Sequence, residues 1–95
     1  MQHYVLLKFK PGTDLDAAEA RVRSTYQALD EALDYLHDPV VYRCCVSRDS
    51  NADIMAEIRL DGPEGLQPYL THPLHMQMAM DLKDSIAGKI SFDHM

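Results

Sequence analysis

Ninety-five residues, 46% hydrophobic and 25% charged, describe one globular domain spanning residues 1–95 and exclude a disordered chain. A formal net charge of −6 excludes nucleic acid as the main partner, because neither Lys8 and Lys10 nor Arg21 and Arg23 builds the basic stripe that phosphates require. No apolar run nears the roughly 20 residues that span a bilayer, and the Met-Gln-His opening is no secretory leader, so a soluble, cytoplasmic protein without a membrane partner is expected.

The first element is a strand over His3–Phe9, where aliphatic and aromatic residues fill the segment. His3, Val5, Leu7 and Phe9 share one face, and Tyr4, Leu6 and Lys8 the other. Both faces are largely apolar, so both need covering. Pro11-Gly12-Thr13-Asp14 breaks the strand and supplies a helix cap. Leu15, Ala18, Val22, Tyr26, Leu29, Leu33 and Leu36 then recur at helical spacing and predict a helix over Leu15–Leu36. Glu19 and Arg23 sit four apart on its polar side, in the favourable order for a surface pair.

Asp38-Pro39 reads as a connection, followed by a strand over Val40–Val46, a turn at Asp49-Ser50-Asn51 and a strand over Ala52–Leu60. The two strands form a hairpin. Pro63 opens a short helix to Leu70, which Pro68 distorts. Pro73 opens another, predicted to reach Ala87 and to close at Gly88. A last strand covers Lys89–Asp93. The order β-α-β-β-α-β is ferredoxin-like. In that topology helices cover one sheet face only, so the second apolar face predicts a homodimer through sheet faces.

Cys44 and Cys45 are adjacent, and neighbouring residues seldom bridge without strain. Two buried thiols are the plain reading, and a vicinal redox pair the alternative. Nothing has zinc-ligand spacing, and Met76, Met78 and Met80 scatter around a helix as core or contact residues. No metal and no cofactor are expected.

The segment Tyr69-Leu-Thr-His72-Pro73-Leu-His75 carries the chemistry. His75, Ala79, Leu82 and Ile86 form one apolar helical face, which turns His75 toward the sheet. With His3 on the first strand and Tyr26 on the first helix, His75 encloses a common space. A neutral imidazole can remove a proton near pH 7, and a phenol can donate to a carbonyl oxygen and steady an enolate. Each residue also has a plainer reading: His3 and Tyr26 as core, and His72 as a helix-start residue bonded to the backbone.

His3-Tyr-Val-Leu-Leu-Lys-Phe-Lys10 before Pro-Gly, the Tyr69–His75 motif and Phe92-Asp93 together resemble the stress-responsive A/B barrel domain family, Dabb. The resemblance implies a ferredoxin-like fold, a dimeric α/β barrel and a pocket between sheet and helices in each subunit. One plant branch, typified by olivetolic acid cyclase, performs cofactor-independent aldol cyclisation of a polyketide. By that likeness His75 is the catalytic base and Tyr69 the hydrogen-bond partner that steadies the substrate oxygen, with His3, Tyr26 and His72 as ligand contacts. Ile54 stands where that branch has a histidine, and Pro68 directly precedes Tyr69. Three functions follow: a protein binding a small apolar or aromatic molecule, an acid–base enzyme of the cyclase kind, or a structural dimer with a filled core.

Overall fold

The chain builds one antiparallel sheet and packs its helices on one side of it. The computed structural model describes Met1–Met95, with strands β1 (Gln2–Phe9), β2 (Leu36–Arg43), β3 (Ile54–Leu60) and β4 (Ile86–His94). Helices α1 (Leu15–Ala32), α2 (Leu66–Leu70) and α3 (Pro73–Leu82) complete it, with single 3-10 turns at Pro63–Gly65 and Lys83–Ser85. The sheet order is β2-β3-β1-β4. This is the ferredoxin-like α+β fold that the element order implies.

Burial alternates along β1 as the sequence requires. His3, Val5, Leu7 and Phe9 are buried under the helices. Across the ladder, Ile58, Ala56 and Ile54 of β3 stand opposite His3, Val5 and Leu7 and extend the same face. Helix α1 begins at Asp14, whose carboxylate accepts from the Ala17 N–H at 3.1 Å. Its buried stripe of Ala18, Val22, Tyr26 and Leu29 lies on that face. The predicted Glu19–Arg23 pair forms at 3.0 Å, and Arg43 of β2 reaches the same carboxylate at 3.0 Å. The two guanidinium groups, Arg23 first, hold the Glu19 carboxyl below its ordinary range. No helix is long and apolar enough to cross a membrane.

Several boundaries differ from the periodic reading. Helix α1 stops at Ala32, and Leu36 is a strand residue paired with Leu60. Leucine spacing continues the helical pattern, but the end of β3 needs a ladder partner. Asp38-Pro39, taken as a connection, is an irregularity inside β2, between His37 and Val40. Pro39 is tolerated there because β2 is an edge strand.

Helix α3 ends at Leu82 instead of Ala87, and Gly88 pairs with Lys8 inside β4 instead of capping a helix. Pairing the whole of β1 demands this longer edge strand.

The shift in β2 also corrects the reading of the cysteines. Because the strand starts and ends early, both lie past its end, with Cys44 half-buried and Cys45 exposed, each a free thiol.

The second sheet face is open. Its central and edge strands present Tyr4, Leu6, Tyr42, Ile90 and Phe92, of which Phe92 is 60% and Ile90 69% exposed. Tyr4 packs near Phe92 and stacks on His94, which places His94 in this face.

Candidate functional site

Proline chemistry builds the segment that carries the site. Pro68 sits in the first turn of α2, where a missing N–H costs little. His72 is extended at φ −63°, ψ 138°, as a residue before proline prefers, and Pro73 takes the first helical position of α3. The His72 Nδ1 accepts from the Leu74 N–H at 3.1 Å. His72, expected as a ligand contact, is thus a helix cap outside the cavity lining.

One turn later His75 is buried, and its Nδ1 donates to the Leu70 carbonyl at 3.0 Å. A carbonyl only accepts, so Nδ1 carries the proton and Nε2 keeps the lone pair. Burial pulls the imidazole below its ordinary pKa of 6.5. The nearby Lys89 and His3 add to this against the opposing Leu70 bond, so His75 is neutral at pH 7.

Tyr69 is fully buried and sits at the centre of the cluster. His75 meets its ring edge-on at 4.8 Å between centroids, and His3 does so at 5.5 Å. Its hydroxyl lies 2.5 Å from that of Tyr26. Either hydroxyl can donate in this bond; when Tyr69 donates, the Tyr26 proton is free for a ligand. Burial raises the pKa of both phenols, so neither is ionised at neutral pH. Behind them the Asp93 carboxylate of β4 holds His3 Nδ1 at 2.5 Å, from the position directly across the ladder.

A cavity of about 490 Å³ lies against this cluster. Val5 and Leu7 of β1 form its floor, Val22 and Tyr26 of α1 one wall, and His75 and Met78 of α3 another. It opens past Met76 and Met80, which are 52% and 67% exposed, and past Lys83 and Lys89. Thus the structure brings His3, Tyr26, Tyr69 and His75 together, but only Tyr26 and His75 line the cavity. His3 and Tyr69 stand behind them. Asp93, Lys83 and Lys89 are not among the site residues that the sequence points to. Asp93 and Lys89 share the strand face of His3 and Leu7 across the β1–β4 register, a placement that no short motif announces. No three His, Cys, Asp or Glu side chains converge as metal ligands.

A four-stranded antiparallel sheet in the order β2-β3-β1-β4, with its helices on one face, defines the ferredoxin-like class. Within that class the chain belongs to the Stress responsive A/B Barrel Domain family, Dabb, whose pattern matches residues 1–95. A comparison with curated proteins gives no match.

Among solved structures, a dimeric ferredoxin-like protein of unknown function from Jannaschia sp. CCS1 is similar at TM-score 0.82 and 16% identity, over 99% of this chain and 96% of that one. The Arabidopsis thaliana protein At3g17210 is similar at TM-score 0.79 and 18% identity, over 99% and 92%. A hydroxynitrile lyase from Passiflora edulis is similar at TM-score 0.77 and 9% identity, over 98% and 89%. At these identities the likeness is one of fold.

Proposed function

We propose that this protein holds a small, largely apolar molecule between sheet and helices, with Tyr26 and His75 as its polar contacts. The observation that carries the reading is the cavity itself. Its volume of about 490 Å³ falls within the range of ligand sites. Its walls are aliphatic and thioether groups, interrupted on the inside by one phenol and one neutral imidazole. A core packed for stability alone leaves few voids larger than a water molecule, which weighs against the purely structural dimer.

The unit that works is a homodimer of single-domain subunits. Related structures are described as dimeric, and the open face with Tyr4, Leu6, Ile90 and Phe92 is the surface that two copies would cover. The protein acts in the cytoplasm.

A second reading is favoured by the state of His75. Its free Nε2 and its lowered pKa suit removal of a proton beside a carbonyl, with Tyr26 donating to the oxygen that becomes an enolate and Tyr69 supporting Tyr26. This assigns Tyr69, expected to touch the substrate, a positioning role. The reaction class is that of cofactor-independent polyketide cyclisation.

Calorimetry and thermal shift with neutral aromatic and β-keto compounds test the first reading on the wild type, His75→Gln and Ala79→Phe. Binding by the wild type, weaker binding by His75→Gln and none by a folded Ala79→Phe are expected. A wild type that binds no compound sinks the proposal. For the second reading, NMR should detect deuterium exchange at the α-carbon of a bound β-keto compound, lost in His75→Gln. Exchange no faster than in buffer rejects it.

A further inference from the structure

The geometry points to an anion subsite at the mouth of this cavity: Lys83 and Lys89 hold the carboxylate of an amphipathic acid whose apolar body fills the interior. The inference rests on the ligand-binding reading above and narrows it to a class of molecule.

Charge placement carries the argument. The chain has 15 acidic residues against 9 Lys and Arg, yet the cavity lining contains no carboxylate and two ammonium groups. Elsewhere the cations are largely spoken for. Lys8 pairs with Asp53, Arg21 with Asp81, Arg23 and Arg43 with Glu19, and Arg59 with Asp38. Neither Lys83 nor Lys89 has a carboxylate within salt-bridge distance or any side-chain hydrogen bond. Asp81 is held by Arg21 at 2.7 Å and Asp93 by His3, and Asp84, next to Lys83 in the turn, forms no ion pair with either lysine.

Position makes the two lysines a pair facing one opening. Lys83 stands on the turn that leaves α3, just after Leu82 of the wall. Lys89 lies on the helix-facing side of β4, directly across the ladder from Leu7 of the floor. Both line the same cavity. A low-dielectric wall beside unpaired charges of one sign focuses the field and favours an anion. The interior offers nothing for a second charge: Tyr26 and His75 are both neutral, and the rest is apolar. A ligand with one anionic end and an apolar body matches both zones. A neutral ligand leaves the mouth unused.

The test compares 4-phenylbutyrate with its neutral amide, 4-phenylbutanamide, by calorimetry on the wild type, Lys83→Gln/Lys89→Gln and Lys83→Arg/Lys89→Arg. Two exposed ion pairs are expected to favour the acid over the amide by about tenfold in the wild type, and less as salt is raised. The double Gln variant should lose this preference, and the double Arg variant should keep it. Equal binding of acid and amide by the wild type, or a preference that survives in the double Gln variant, overturns the anion subsite and leaves the apolar pocket standing. If the wild type binds neither, the ligand-binding reading falls and takes the subsite with it.

Discussion

At the scale of single residues, the hydrogen bond between Tyr26 and Tyr69 separates two side chains that look interchangeable. Tyr69 is enclosed on all sides, whereas Tyr26 is among the residues that border the cavity. Tyr26→Phe therefore strands a buried hydroxyl on Tyr69 and should cost about 1–3 kcal/mol by urea denaturation. Tyr69→Phe should cost less, because the Tyr26 hydroxyl keeps an outlet. The double Phe variant should lose less than the two single effects added together, since only one bond is broken. Equal costs for the two single variants would mean that the cavity does not hydrate Tyr26.

His75 makes a prediction of a different kind. Its folded pKa lies below 6.5, so the unfolded chain takes up its proton first as pH falls. The stability this provides is complete above pH 6.5 and declines from there toward the depressed folded value. Denaturation midpoints at pH 7.5 and 5.5 should drop more for the wild type than for His75→Gln. The comparison stays above the range where the lowered Glu19 and Asp81 carboxyls lose their own contribution. Parallel drops in the two proteins would remove His75 from the account.

At the scale of elements, local signals and ladder demands compete, and the ladder wins at the strand ends. Asp38 has a φ of 53°, in the left-handed region that aspartate tolerates and β-branched residues do not. It produces the irregularity that lets an edge strand carry Pro39. Asp38→Val should destabilise the protein by about 1–2 kcal/mol in urea denaturation, and Asp38→Gly by clearly less. The caps were more legible. Asp14 and Pro73 announce the starts of α1 and α3, because a helix N-terminus is made by neighbours in sequence. Their ends carry no such mark. Leu33, Leu36 and Ile86 continue helical spacing past the true boundary, and pairing with β3 and β1 decides where the helix stops. Ile86 illustrates the consequence: placed by periodicity on the apolar helix face of His75, it reaches the same cavity from a strand.

At the scale of the whole molecule, the open sheet face is the feature a lone subunit leaves unexplained. Phe92→Glu together with Ile90→Glu should convert a dimer to a monomer in sedimentation velocity while leaving the far-UV circular dichroism unchanged. An intact dimer would move the interface elsewhere.

What the sequence by itself determined is what near neighbours and periodicity encode: the order of elements, the two faces of β1, the stripe of α1, the starts of α1 and α3, and the presence of His75 and Tyr26 between the layers. Tertiary structure decided the rest. It set His3 and Tyr69 behind the cavity wall, assigned His72 to the backbone and exposed Cys45. It also brought Asp93 to His3 and Lys89 to the mouth, through a strand register joining residues some 80 to 90 positions apart. Side-chain spacing reports which face a residue occupies, but only the packed ladder says what stands opposite.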